Sequence, residues 1–252
     1  GGSTTYGAFI DQDAQTYPAQ TEERLHSLGH DVTVINAGVE GFATYESLIH
    51  YAFRVSYIAP DVVVIYHGIN DLFCRVVWPP ENYASDNAGA VAPYFKRSSW
   101  ETVTIHSMAL RIPLTAFGVL DADDDIYGVF APRAPSWRLL EWWVAQTGGP
   151  QGIFKEVSVT DILSANPPAY FERNLRHLVA MIRDDGAHPV LVTYVHLDDH
   201  PTQHLFSSPE MQAGFREMNE VIRKVAADTG TTLFDAVEAY PRKHEYFVAD
   251  EG

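Results

Sequence analysis

Three features of the sequence predict an α/β fold, a three-layer doubly wound parallel sheet. Four short runs, "DVTVINA" from Asp31, "DVVVIYHG" from Asp61, "HPVLVTYV" from His188 and "TTLFDAV" from Thr231, are rich in β-branched residues. They are nearly continuous rather than alternating in hydrophobicity, the pattern of strands covered on both faces. Helical patterns lie between them, so each strand is followed by a crossover. Repeated crossovers of this kind give parallel pairing with helices on both sides of the sheet. The 252 residues, 46% hydrophobic and 20% charged, suffice for one large core and read as a single domain over 1–252.

Each element has its own signal. The chain opens with "GGSTTYG", a glycine-rich turn leading into a helix. Residues 17–29, "YPAQTEERLHSLG", place Leu25 and Leu28 at helical spacing and stop at glycine. After the run at Asp31 comes "INAGVEG", a strand-end turn. Residues 44–60, "TYESLIHYAFRVSYIAP", form a helix with Thr44 as cap and a proline stop. "YHGIND" then closes the run at Asp61. Two amphipathic helices, "AYFERNLRHLVAMIRDDG" and "SPEMQAGFREMNEVIRKVAADTG", flank the run at His188, each ending at glycine.

The stretch at about 73–168 breaks this rhythm. It carries all five tryptophans (Trp78, Trp100, Trp137, Trp142, Trp143), several prolines and two helical patterns, "SWETVTIHSMALRI" and "PSWRLLEWWVAQTGG". An insertion of that length is usually functional, and it reads as a largely helical, aromatic-rich cap over the sheet edge that holds the site. A packing extension without ligand contact is the plainer alternative.

Bulk charge narrows the partners. With 33 acidic against 17 basic residues the formal net charge is -16, which repels phosphate backbones and anionic lipid. Nucleic acid is thus an unsuitable partner, and no apolar run is long enough to span a bilayer. Cys74 is the only cysteine, which excludes an intrachain disulfide and says nothing of compartment. The localisation stays open between cytoplasm and export.

Chemistry is expected beyond the carboxyl ends of the strands, where parallel sheets bind ligands. Three motifs fall there. In "GGSTTYG" the Ser3 hydroxyl lies in a turn entering a helix. In "INAGVEG" Gly41 permits close backbone approach to a ligand. In "YHGIND" Gly68 makes the turn, Asn70 offers an uncharged side-chain donor, and His67 can line the pocket. One nucleophile and three donors, the Ser3 and Gly41 N–H groups and the Asn70 amide, suit acyl transfer. A hydroxyl attacking an ester generates an oxyanion that fixed donors stabilise. Each motif taken singly is equally well a cap, a turn or a local hydrogen bond.

In their order and placement, "GGSTTYG", "INAGVEGFATYES" and "VVVIYHGINDL" resemble the first three sequence blocks of the SGNH hydrolases, the GDSL esterase and lipase family. The resemblance covers Gly1 to about Leu72 and again about Tyr170 onward. It implies the flavodoxin-like SGNH hydrolase fold and a serine esterase acting through an acyl-enzyme. Ser3 is then the nucleophile, and Gly41 and Asn70 join the Ser3 amide in the oxyanion hole. Gly68 shapes the third turn, Asp71 is structural, and neither cofactor nor metal is needed; His67, at a strand end among apolar neighbours, either helps shape the site or is a hydrogen-bonded core histidine. The expected partner is a small-molecule ester or an acylated sugar. An O-acyltransferase with the same triad and a non-catalytic carbohydrate-binding protein are the alternatives.

Serine needs a base, usually histidine oriented by a carboxylate. "DGAH", residues 185–188, has the Asp-x-x-His spacing but joins a helix to the amino end of a strand, the wrong side of the sheet. "HLDDHPTQH" gathers His196, His200 and His204, but Pro201 interrupts a metal-binding helical spacing and a solvated loop is expected. By the resemblance, "YFVADEG" is the start of the last block. Asp250 is then the orienting carboxylate, with the histidine expected just past Gly252. A strand is likewise expected ahead of Gly1. The stretch as written is therefore expected to lack its own base and to be nearly inactive alone.

Overall fold

The computed structural model describes residues 1–8, 10, 12–76, 80, 83–85, 107, 112–114, 116–117, 157–197 and 208–240. Most of the expected insertion, all the tryptophans, His200, His204 and Asp250 lie outside that set.

The described chain is α/β with a parallel sheet. Strand β1 (Val62–Tyr66) pairs with β2 (His188–Val192), and β2 pairs with β3 (Thr232–Phe234), all parallel and in the order β1-β2-β3. Helices α1 (Ser3–Tyr6), α2 (Tyr17–Ser27) and α3 (Thr44–His50) precede the sheet. Helix α4 (Ile69–Arg75) leaves β1, and α5 (Val159–Ala165) and α6 (Ala169–Asp184) lead to β2. Helix α7 (Pro209–Thr229) leads to β3, and α8 (Ala236–Ala239) follows it.

The core lies between one sheet face and α6 and α7. Leu175, Leu178, Val179 and Ile182 of α6 recur three and four residues apart, as do Met211, Phe215, Met218, Ile222 and Val225 of α7. Both stripes pack on Ile65 and Leu191 of the strands. This is the 3.6-residue period turned into a buried surface, about 1.5–3 kcal/mol for each large side chain. Helix α7 starts where expected, the Ser208 hydroxyl accepting from Met211 N at 3.3 Å and Pro209 opening the first turn. Both helices stop at glycines in the left-handed region, Gly186 and Gly230.

Four expectations are corrected. Residues 31–37 form no strand. The backbone there is held by side chains of α2 instead, His26 Nε2 donating to Val32 O at 2.7 Å and Val34 N donating to Glu22 Oε1 at 3.1 Å. A run of apolar residues becomes a strand only when a ladder partner takes its amides and carbonyls.

Thr44 is not the cap of α3 but its first residue. Ala43 occupies the cap, its N–H donating to Glu46 Oε2 at 2.9 Å, and the Thr44 side chain is used elsewhere. The helix expected over 44–60 also changes character, becoming π-helical over Tyr51–Val55 and 3-10 over Ser56–Ile58.

Among the described residues the sheet face opposite α6 and α7 is covered only in part, Tyr17 of α2 reaching Tyr66 at its carboxyl end. On that face Val62 is 54% exposed, Val64 49% and Phe234 51%.

Candidate active site

The carboxyl end of β1 positions the candidate site. After Tyr66 the chain runs through His67 and Gly68 and turns into α4, so Asn70 and Asp71 fall in that helix's first turn. Gly68 has φ near -179°, which any residue adopts, so its glycine is required by space rather than by torsion. A Cβ there would lie 2.3 Å from Cγ of Tyr194. Tyr194 is half-buried and stacks on Tyr66 at 5.3 Å and on Phe215 at 5.6 Å, which joins the cleft wall to the core. Burial pushes the hydroxyl pKa of both tyrosines upward.

Across the cleft stands α1. Gly2 caps it, Thr5 N and Tyr6 N both donating to Gly2 O at 3.0 Å, and Ser3 is its first residue. First-turn amides have no acceptor within their own helix and are the natural donors to a bound anion or carbonyl. Ser3, Gly68, His67 and Asn70 line one small cleft together with Gly2.

The "INAGVEG" loop docks on this turn. Val39 N donates to Gly1 O at 3.1 Å, and a Cβ on Gly38 would lie 2.4 Å from Tyr6 N. Gly41 sits at φ +76°, the left-handed region that favours glycine. The next residue, Phe42, accepts from Asn70 Nδ2 at 2.9 Å. Asn70 has two amide hydrogens, and this bond uses one of them. Gly2 makes room for this amide, since a Cβ there would lie 2.7 Å from Asn70 Nδ2.

Beneath the cleft lies a buried polar group. Asp71, only 4% exposed, accepts from Thr44 N at 3.0 Å and from Thr44 Oγ1 at 2.5 Å. Asn174 of α6 donates to the same hydroxyl at 3.1 Å. Desolvation raises the Asp71 carboxyl to about 7, against the opposing effect of the Thr44 hydrogen bonds. His67 is equally buried. Its Nε2 lies 2.8 Å from Ser47 Oγ and its Nδ1 3.7 Å from Asp71 Oδ2, and burial holds it well below the usual histidine range.

Of the residues singled out from sequence, Ser3, Gly68, His67 and Asn70 therefore share a cleft, and Gly41 lies in the loop docked beside it. Asp250 is outside the described residues. "DGAH" is at the far end: His188 pairs with Val62 at the amino end of β1, about 13 Å along the strand from Tyr66 at 3.3 Å per residue. His196 stacks on Phe215 at 4.4 Å, and no metal-binding cluster occurs among the described residues. No helix among the described residues is long and apolar enough to cross a membrane.

Sequence reading passed over Gly2, Gly38 and Ser47. The glycines had a signal, since two of the chain's 17 glycines bracket the turns of neighbouring motifs. Ser47 had none, because its partner is 20 residues away.

No family model and no curated protein matches the chain. Two solved structures are similar to it. One is the acetyl xylan esterase AlAXEase, at 15% identity and a TM-score of 0.49, covering 94% of this chain and 75% of that one. The other is LAE5, an alpha/beta hydrolase enzyme from the metagenome of Lake Arreo, Spain, at 14% identity and a TM-score of 0.49, covering 98% of this chain and 78% of that one. Likeness at this level leaves the chemistry to the residues themselves.

Proposed function

We propose that the chain carries a serine-esterase site of the SGNH hydrolase type, hydrolysing carboxylic esters of small acyl groups, including O-acyl esters of carbohydrate. The observation that supports this reading is the cleft shared by Ser3 and Asn70, in which the Asn70 amide is held by the Phe42 carbonyl.

Ser3 Oγ attacks the ester carbonyl carbon while a base takes its proton. The negative charge that gathers on the carbonyl oxygen is met by Ser3 N–H, Gly41 N–H and the second Asn70 hydrogen. A single such donor is worth about 2.7–4 kcal/mol in a preorganised site. Collapse breaks the bond to the alcohol, which leaves with a proton, and water then hydrolyses the acyl-serine. The base is a histidine oriented by a carboxylate, a role the reading gives to Asp250. His67 does not serve, because Ser47 takes its Nε2 and its Nδ1 faces Asp71.

The test is hydrolysis of p-nitrophenyl acetate and butyrate by the full-length protein. Ser3→Ala is expected to lower kcat by about a thousandfold or more. Wild-type turnover in that variant overturns the assignment.

A further inference from the structure

The two arms of the candidate oxyanion hole come from different parts of the chain, and something must hold them in register. Gly41 belongs to the loop before α3, and Asn70 belongs to α4. A seam of hydrogen bonds, buried at Thr44–Asp71 and part-buried on either side, joins those two segments at successive positions. Asn70 Nδ2 donates to Phe42 O, Thr44 donates through N and Oγ1 to Asp71, and one helical turn further on Ser47 meets His67. Asn174 of α6 closes on the Thr44 hydroxyl from behind.

His67 reaches the cleft from this seam, as Asn70 does. It is both 4% exposed and part of the cleft lining, while Ser47, on α3, is not part of that lining. Its Nε2 meets the Ser47 hydroxyl at 2.8 Å, while its Nδ1 faces the Asp71 carboxyl group from 3.7 Å, beyond hydrogen-bond distance. The ring is then fixed by one hydrogen bond from α3, and the His67–Gly68 turn that leads to Asn70 is fixed with it.

We infer that Ser47 is a positioning residue for ester hydrolysis: through His67 it sets the distance between the Gly41 and Asn70 donors without touching substrate. This rests on the proposed esterase reading. Displacement of a catalytic group by about 1 Å costs on the order of a hundredfold in rate. A residue acting only on this distance therefore changes kcat and leaves KM nearly alone.

The experiment compares Ser47→Ala, Ser47→Thr and Ser47→Cys in the full-length protein, reading kcat and KM for p-nitrophenyl acetate beside the thermal midpoint. Ser47→Ala is expected to lower kcat by about tenfold or more with KM within about twofold, and Ser47→Thr, which keeps the hydroxyl, to restore most of it. Ser47→Cys keeps the volume with a weaker hydrogen bond and should fall between them, which covers the case in which the alanine variant does not fold. Unchanged kcat in the alanine and cysteine variants, or a loss carried by KM alone, overturns the inference. Ser3→Ala run in parallel separates the two claims, since activity lost there but kept in the Ser47 variants refutes the positioning role alone. Should the wild type hydrolyse no ester, the Asn70 side-chain amide resonances decide. Shifted or faster-exchanging protons in Ser47→Ala uphold the linkage, and unchanged ones sink it.

Discussion

Helix α4 buries two ionisable side chains four residues apart, Asp71 and Arg75, and surrounds them differently. Arg75 is fully buried and answered by charge and carbonyls together. It donates through Nε to Asn166 O at 2.7 Å and through Nη2 to Leu163 O at 3.2 Å and Glu217 Oε2 at 2.5 Å. Asn166 returns a bond from Nδ2 to Arg75 O at 2.7 Å. Glu217 is itself half-exposed, so the pair keeps one end in water. Asp71 faces the cleft side and is met at hydrogen-bond distance by neutral Thr44 donors, with His67 Nδ1 farther off. The first group ties α4 to α5 and α7, and the second ties it to α3 and the cleft. The contrast separates a charge held for architecture from a carboxyl poised to titrate near neutrality.

The largest effect should come from breaking the first arrangement. Arg75→Ala leaves a cavity and strands the Asn166 and Leu163 carbonyls, and is expected to cost about 3–5 kcal/mol in urea denaturation. A loss under about 1 kcal/mol would mean the network is loosely held.

Asp71→Asn is expected to cost less, about 1–3 kcal/mol, since its amide oxygen still accepts from Thr44 while its NH2 faces a donor. The pH dependence is the sharper readout. The folded carboxyl binds its proton up to about 7 and the unfolded one only up to about 3.8, so the folded state holds more protons between those values. Stability through this group therefore falls as pH rises across that window. The Asp71→Asn difference should grow more favourable to the variant from pH 4 to 7, as followed by chemical denaturation. A difference independent of pH would show that Asp71 is ionised throughout.

The smallest effect is that of Thr44→Val, which at constant shape removes a hydroxyl that donates to Asp71 and accepts from Asn174. It should cost about 1 kcal/mol and push the Asp71 titration higher still, measurable by carboxyl NMR titration.

The regions also differ in how far the sequence foretold them. Helices α6 and α7, β1 and β2 lie where periodicity, a serine cap and glycine stops put them, because those signals are local. Residues 31–37 carry an equally good strand pattern and do not form one, because pairing depends on a partner and α2 supplies competing bonds. In the cleft, Ser3 was visible as turn chemistry, and Gly68 and Asn70 as turn chemistry at a strand end. Ser47 was not, since its meaning lies in the position of a residue 20 positions away.

By itself the sequence determined the α/β alternation, the acidic surface and the serine, glycine and asparagine motifs with their order. Each of those is a property of contiguous residues or of composition. Only the tertiary structure decided that Thr44 serves Asp71 rather than its own helix end, that His67 bonds to Ser47, and that a fully buried arginine joins segments 88 to 142 residues apart. A hydrogen-bond donor is satisfied by whichever acceptor the fold brings within about 3 Å, and that choice is not written in local spacing.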